Sequence, residues 1–516
     1  MSFRLSPFER ALGRAASVAT LALCLGVTQA QAQSAPFGLR AVDTAPVFAA
    51  ADAATTKAEE ILRRKARSAG KAGIGRNRRP PASGPLLPPL TIYPRANRIG
   101  LRGGAQPIDS DLAPPPTIAA IPPINARPRS PIDDRPFDPI GVQVGSLRLK
   151  PYFEEDFGYA SNPASVAAGA KGSAFETSEA GLAFQSDWAR HDLHGDLRGG
   201  YTDYFANSAA NTPYGSGAAA GRFDISRDFS LDAETHFNLR TQTPGSVTLP
   251  SGAVLSGGRR PLVDTFGGSL GGIERLGKLA LSLHGTFDRT LYDNARLSDG
   301  SVVDLSSDDS TDWGLRGRAA YEISPIVAPF VEVDADKRIY DRAIDSGGFQ
   351  RDSRGAAALG GATLALTNQL TGEASAGYGR RNFRDPRLPD LSGPLFNASL
   401  VWAVTPLTTV RLNTTTSLAD TTTPGASGAV TRSYTIGVSH ALRRYLTLTA
   451  NAGYTSDAYS GLAIHDQATT FGLGAEYSLS RELVLKASAT RTQFTSSLPN
   501  SNYTANVFLL GLRVQR

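Results

Sequence analysis

Six charged residues near the middle of the chain are the strongest candidates for a functional site. They are Arg316, Arg318, Glu332, Asp334, Asp336 and Arg354. The three carboxylates alternate with other residues, which is the spacing that places side chains on one face of a β-strand. The arginines lie in the preceding and following predicted strands. Opposed rows of acid and base across a water-filled passage would set up a transverse field that orients polar solutes; alternatively, the rows neutralise each other as ion pairs that fill the interior.

The other residues that could do chemistry form no recognisable catalytic or cofactor site. His191 and His194 do not share a strand face as metal ligands, and Ser439 and His440 are adjacent and point to opposite faces. The zincin and Walker patterns are absent. We therefore predict no enzymatic activity, no catalytic residues, no cofactor and no metal. An enzyme, which is the least favoured alternative, would need distant parts of the chain to bring two titratable groups within hydrogen-bond reach.

An acidic stretch contains the side chains Asp304, Asp308, Asp309 and Asp312. Clustered carboxylates are hard oxygen ligands that suit Ca²⁺. The same composition is typical of a solvated external loop, and this is the interpretation that we favour.

The elements that carry these residues have a period of two. Between Phe229 and Arg240, largely apolar positions alternate with polar and charged ones, so one face of the predicted strand is apolar and the other ionic. We count about eighteen such segments of roughly 10–15 residues, which is the length of a tilted membrane strand. They begin near positions 146, 176, 192, 216, 229, 263, 277, 311, 327, 354, 369, 395, 408, 430, 444, 468, 483 and 504.

The predicted connections alternate between long and short. The long ones lie near 160–174, 206–215, 241–261, 293–310, 341–352, 384–393, 419–429, 457–467 and 496–503. Short turns on one side and long loops on the other are typical of bacterial outer-membrane barrels, and an even strand count returns both ends to the periplasmic side. The sequence therefore predicts an all-β fold, a closed antiparallel transmembrane β-barrel of about 18 strands over residues 141–516. A soluble sandwich is disfavoured because its strands are shorter.

Residues 1–32 are predicted to be a secretory signal peptide. A basic start precedes an apolar core, and Ala30-Gln31-Ala32 supplies small residues for cleavage. Lipidation at Cys24, the only cysteine, is the alternative, although Leu23 occupies the position where a lipoprotein signal needs a small residue. Removal of the leader would leave a chain without disulfides or thiolate metal sites.

Residues 33–140 form a predicted linker. They hold 18 of the 33 prolines, a density that excludes helix interiors and favours extended, disordered chain. The linker carries 16 Lys or Arg and 9 Asp or Glu, whereas residues 141–516 carry 34 and 37, so the basic pI does not arise in the main domain. A nucleic-acid partner is therefore not expected. We predict a periplasmic spacer or, alternatively, an arm that contacts peptidoglycan or a periplasmic partner.

The order of short motifs along the predicted barrel resembles that of a known family. The motifs include Leu149-Lys150-Pro151, Ser186-Asp187-Trp188-Ala189-Arg190-His191, Ile323-Ser324-Pro325 and Leu370-Thr371-Gly372-Glu373. Over about 145–516 the pattern is similar to the outer-membrane family called "putative β-barrel porin 2". The resemblance implies an outer-membrane barrel with a porin or export role, no particular substrate and no catalytic residues. The chain departs from common outer-membrane barrels because it ends in Val514-Gln515-Arg516, without a terminal aromatic residue.

Together these features predict a porin-like channel or export conduit for polar solutes, with extracellular polysaccharide as one candidate cargo. The predicted location is the outer membrane of a Gram-negative bacterium, with the linker in the periplasm. The expected partners are outer-membrane lipid, lipopolysaccharide and the polar solutes themselves. The alternative is a structural or adhesive surface protein whose lumen is closed.

Overall fold

The computed structural model describes residues 137–242, 261–297, 300–366, 369–421, 425–499 and 501–516. The predicted signal peptide and the predicted linker up to residue 136 lie outside this part of the chain. Within it, the one helix is the single 3₁₀ turn Ser208–Ala210. No helix among these residues is long and apolar enough to cross a bilayer.

Eighteen long antiparallel strands form one sheet. In chain order they are β1 (Leu147–Ala160), β2 (Ser173–Ser186), β3 (Asp192–Tyr204), β4 (Thr212–Asp224), β5 (Phe229–Thr241), β6 (Leu262–Leu276), β7 (Leu279–Tyr292), β8 (Ser310–Tyr321), β9 (Val327–Tyr340), β10 (Ser353–Ala365), β11 (Leu370–Phe383), β12 (Leu391–Thr405), β13 (Thr408–Asp420), β14 (Gly428–Arg443), β15 (Leu446–Ser460), β16 (His465–Ser478), β17 (Leu483–Ser496) and β18 (Tyr503–Gln515). Short strands at Val142–Val144, Ala295–Arg296 and Val302–Val303 lie outside this series.

The sheet closes on itself. Each long strand pairs with the next one along the chain, and β1 pairs with β18 from Tyr152↔Gln515 to Ala160↔Val507. Closure gives every long strand a partner on both sides over at least part of its length, which limits the unpaired edges that the apolar interior of a bilayer would not tolerate. The predicted fold class, a closed antiparallel barrel with 18 strands, is confirmed.

Along the strands, apolar side chains are exposed and charged ones are buried, which is the reverse of the arrangement in a soluble protein. On β9 the apolar Val331 and Val333 are 59% and 54% exposed, whereas Glu332 between them is 9% exposed. The same pattern recurs on other strands, where Phe157, Leu283 and Leu510 are more than half exposed. A belt of exposed apolar side chains around a charged interior is the arrangement of a barrel whose outer face contacts lipid.

Aromatic residues lie near both ends of the outer belt. On β8, Trp313 lies near the end that leads to the long loops and Tyr321 lies at the opposite end, and both are exposed. Tyr378 on β11 and Trp402 on β12 repeat the arrangement. Such rings mark the levels at which lipid tails give way to headgroups.

The connections alternate between long loops at one end of the barrel and short turns at the other. A turn of only two residues, Gly277-Lys278, joins β6 to β7, and Gly277 has φ +64°, a backbone conformation that favours glycine. The chain enters β1 and leaves β18 at the end of the barrel with short turns. There the ring of Phe137 packs edge-on against Tyr445 with centroids 6.2 Å apart. The described end of the predicted linker thus contacts a short turn.

One part of the wall overlaps the inner surface of its neighbours. The β12–β13 ladder runs only from Ala398↔Thr414 to Thr405↔Thr408, so the two strands separate toward their long-loop ends. Beyond this point β13 pairs only with β14. Leu418 and Val430 from this free end pack against a cluster of three leucines from the inner faces of β10 and β12, namely Leu359, Leu391 and Leu395.

We call residues 415–421 and 425–431 the inner hairpin, because they lie on the lumen side of β9–β12. Arg351, almost fully buried, donates hydrogen bonds to the carbonyl oxygens of Thr421 and Ala426 and holds this segment in place. Asp420 reaches Arg338 on β9, four strands away, with 2.8 Å between Oδ2 and Nη1. Because packed sheets lie about 10 Å apart, the inner hairpin narrows the lumen at this end.

Candidate functional site

Five charged side chains from β8, β9 and β11 meet at mid-height on the inner wall and form the open cluster. They are Arg316, Arg318, Glu332, Asp334 and Glu373. The register places Arg316 opposite Asp334 and Arg318 opposite Glu332. Arg316 Nε lies 2.7 Å from Asp334 Oδ1 and 3.7 Å from Glu332 Oε1. The side chains of Asp334 and Arg316 remain 23% and 15% exposed, so they face the lumen.

Arg318 joins the carboxylates of two strands that are not neighbours. Its Nη1 lies 3.4 Å from Glu332 Oε2 on β9, and it binds Glu373 on β11 with both terminal nitrogens, at 2.8 and 2.5 Å. The ring of Phe330 lies under the guanidinium, 3.4 Å from its central carbon to the ring centroid. Thr363 donates a further hydrogen bond of 2.9 Å to Glu373. This bidentate, stacked arrangement fixes the orientation of Arg318.

A second group of charges, the covered cluster, lies beneath the inner hairpin. It consists of Asp312, Asp336, Arg338, Arg381 and Asp420. Arg338 Nε lies 2.9 and 3.0 Å from the two oxygens of Asp312. Arg381 forms an ion pair with Asp336, and its Nε lies 3.5 Å from Asp420 Oδ1. The side chains of Arg381 and Asp420 are only 1% and 2% exposed, so each charge depends on its partners rather than on solvent.

The predicted position of Arg354 on the inner wall is wrong. In the β9–β10 register Arg354 lies opposite Lys337, whereas Gly355 lies opposite Asp336. Alternation therefore turns Arg354 to the outer face, while the other five predicted residues share the inner face. Because β10 consists mainly of Gly and Ala, its own sequence does not reveal which face is which, and a shift of one residue reverses every side chain.

A smaller set of charges lies on the opposite wall, on β1, β2 and β16–β18. Glu154 accepts from Lys486 and, at 2.6 Å, from Nε of Arg513, while Arg513 Nη1 lies 4.0 Å from Glu476 Oε1. Glu179 on β2 accepts from the hydroxyl groups of two tyrosines, one at 2.5 Å and one at 2.9 Å. Both walls are therefore internally paired.

Carboxylates exceed cations on both walls. The open and covered clusters together hold four arginines and six carboxylates, a formal charge of −2. The set of charges described across the lumen holds two cations and three carboxylates, a formal charge of −1. Ion pairs within each wall and a small acidic excess on both sides favour weak attraction of cations over a strong field between the walls.

The carboxylates of the acidic stretch have separate environments. Hydrogen bonds from Ser306 and Arg342 hold the pKa of Asp304 below its usual value, whereas burial raises the pKa of Asp309. Asp312 belongs to the covered cluster. Among the residues that the structure describes, no group of three or more His, Cys, Asp or Glu is arranged to hold a metal.

Glycines on the inner face make room for aspartate side chains on a neighbouring strand. A Cβ on Gly355 would lie 2.0 Å from Asp336 Oδ1, and one on Gly511 would lie 1.7 Å from Asp156 Oδ1. By contrast, Gly360, on the outer face of β10, has open space around the position of a Cβ. Glycine is therefore required on the inner wall where a neighbouring side chain already fills the space that a Cβ would occupy.

We expect Gly355→Ala to lower the free energy of unfolding by about 1–3 kcal/mol, because the new methyl group displaces the Asp336 carboxylate from Arg381. Gly360→Ala is the matched control on the same strand and should have an effect of less than about 0.5 kcal/mol. Urea unfolding of the barrel in lipid vesicles measures both. Equal effects of the two substitutions would contradict the packing described here.

Arg338, Glu373, Arg381 and Asp420 belong to the charged wall but were not among the predicted site residues. Arg338 could have been predicted from the sequence, because it continues the alternation of Glu332, Asp334 and Asp336. Glu373 and Arg381 require the register of β11 against β10. Asp420 requires the inner hairpin, which no local pattern signals.

A family model matches the described barrel. The family model described as putative beta-barrel porin 2 matches residues 135–516. Similar solved structures include the outer membrane protein opdK from Pseudomonas aeruginosa, with 14% identity and a TM-score of 0.34 over 71% of this chain and 99% of that one. OccAB3 from Acinetobacter baumannii has 11% identity and a TM-score of 0.36 over 72% of this chain and 100% of that one.

A third similar structure is a mutant ferric enterobactin receptor from Pseudomonas aeruginosa, with 7% identity and a TM-score of 0.38 over 71% of this chain and 81% of that one. A search of the curated proteins finds no significant match. The family match covers the whole barrel, from before β1 to the last residue. The chain belongs to the outer-membrane family described as "putative beta-barrel porin 2".

Proposed function

We propose that the protein is an outer-membrane channel through which polar solutes diffuse, with a modest preference for cations. The observation that carries the proposal is the inner wall, where Asp334 and Arg316 remain exposed to the lumen at mid-height. The acidic excess on both walls supports the preference for cations. Transport of this kind needs no covalent chemistry, and polysaccharide remains one candidate cargo.

A structural or adhesive role with a closed lumen is the second candidate. The inner hairpin supports it, because this segment occupies part of the lumen and is held there by buried ion pairs and by Arg351. The two candidates differ in one property, which is whether ions cross the barrel.

Recordings from the full chain in planar bilayers separate the two. The channel predicts steady single-channel openings and, under a salt gradient, a reversal potential that indicates a preference for K⁺ over Cl⁻. Folded protein that inserts but gives no openings would overturn the channel and favour the structural role. Swelling of vesicles in neutral sugars and oligosaccharides of increasing size then measures which solutes pass.

A further inference from the structure

Two cations lie side by side on the outer face of the barrel. Lys337 on β9 and Arg354 on β10 are directly opposite each other in the register. Both share the outer face with Val333, which is 54% exposed. Like charges placed directly across a pair of strands repel each other. The pair therefore needs an anion.

The described part of the chain supplies no such anion to either side chain, whereas it supplies one to both flanking cations. Arg289 on β7 binds Asp341 with both terminal nitrogens, at 2.6 and 2.5 Å. Arg380 on β11 binds Asp390 at 2.6 Å. Neither Lys337 nor Arg354 forms an ion pair there. The difference between neighbours on one surface indicates that the anion for this pair comes from outside the protein.

The height of the pair on the wall identifies the source of that anion. Lys337 lies opposite Trp313 of the aromatic belt on β8, and Arg354 lies opposite Asn382, the second-last residue of β11. These paired residues therefore lie between the level of the aromatic belt and the end of the barrel that carries the long loops. At this level the tails of the outer leaflet give way to headgroups.

We propose that Lys337 and Arg354 together bind a phosphate group of the phosphorylated glycolipid in the outer leaflet. Guanidinium and ammonium groups form strong charge-assisted hydrogen bonds with phosphate oxygens, and one phosphate relieves the repulsion between two adjacent cations. The site faces lipid rather than the lumen. It therefore depends on the outer-membrane location of the barrel and is independent of whether the channel conducts.

The test is a titration of the full-length protein in detergent with bisphosphorylated lipid A, with bound lipid counted by native mass spectrometry. A Lys337→Gln and Arg354→Gln double variant should bind this lipid at least about tenfold more weakly, since it lacks both basic groups that attract the phosphate. The wild type should prefer bisphosphorylated lipid A over the dephosphorylated lipid with the same acyl chains, and the double variant should lose that preference.

Arg491→Gln is the matched control, because Arg491 is an exposed outer-face arginine on β17, in another sector of the wall. It should bind lipid A as the wild type does, and heat-modifiable electrophoretic mobility checks that every variant is folded. Equal binding by the wild type and the folded double variant would overturn the proposal. So would equal affinity of the wild type for the two lipids, or binding of inorganic pyrophosphate as tight as that of the lipid, which would identify a site for free anions.

Discussion

Arg381→Met is expected to lower the free energy of unfolding of the barrel by about 3–5 kcal/mol, the effect of removing one partner from a buried ion pair. Arg381 is 1% exposed, and its removal leaves Asp336 without its ion-pair partner under the inner hairpin. Asp420 loses one of its two arginines as well. Urea unfolding of the protein in lipid vesicles measures the change.

The neighbouring residue provides the control. Arg380 lies on the same strand but on the outer face, it is 61% exposed, and its partner Asp390 is 40% exposed. Because exposed ion pairs contribute little, Arg380→Met should cost less than about 1 kcal/mol. If the two substitutions destabilise the barrel equally, the covered cluster does not hold the inner hairpin as described.

If Arg381→Met releases the inner hairpin, the single-channel conductance should change as well. This segment is held by Asp420 from one side and by Arg351 from the other, and it covers the inner faces of β9–β12. A channel formed by Arg381→Met should therefore show a larger and noisier single-channel current than the wild type. A variant that is both less stable and more conductive would show that the buried charges control the width of the lumen.

Removing both acids of the open cluster with Glu332→Gln and Asp334→Asn is expected to reduce the permeability ratio of K⁺ to Cl⁻ by about sixteenfold at low salt. At about 10 Å in water, one unit charge changes the energy of an ion by about 0.4 kcal/mol, which is roughly a twofold change in its local concentration. Because each carboxylate attracts K⁺ and repels Cl⁻, the ratio changes about fourfold for one charge and about sixteenfold for two. Reversal potentials under a salt gradient measure the ratio, and high salt should diminish the effect by screening.

The opposite substitution has the opposite sign. Arg316→Gln combined with Arg318→Gln should raise the same ratio, because the unpaired carboxylates of the open cluster then face the lumen. Glu155→Gln is the matched control, since Glu155 lies on the outer face of β1 and accepts a 2.8 Å hydrogen bond from Ser178. A change of selectivity in Glu155→Gln as large as that in the open-cluster variants would contradict the assignment of inner and outer faces.

Local pattern was sufficient to predict the strands, because a half-apolar strand must alternate. The predicted starts at 192, 229, 327, 408 and 483 coincide with those of β3, β5, β9, β13 and β17. The prediction was late for β4, at 216 instead of 212, and for β12, at 395 instead of 391. Glycine, proline and polar residues interrupt the alternation in the first four residues of both strands, near the long loops, where lipid no longer demands an apolar face.

Relations between strands were much harder to predict. The carboxylates of β9 define their own face, but the face of Arg354 depends on whether it or Gly355 lies opposite Asp336. That choice is made by the register of the whole barrel. The inner hairpin depends on contacts between strands far apart in the chain, such as Asp420 with Arg338, and no periodicity within β13 encodes them.

The proposed channel requires that Asp334 faces the water-filled lumen and Val333 faces lipid. Cys24, the only native cysteine, lies in the predicted signal peptide, so Asp334→Cys or Val333→Cys would introduce the sole thiol of the exported protein. We expect a charged, membrane-impermeant methanethiosulfonate to react with the cysteine at 334 and lower the current through single channels. The cysteine at 333 should remain unmodified and the current unchanged. Modification and loss of current at 333 but not at 334 would contradict the account.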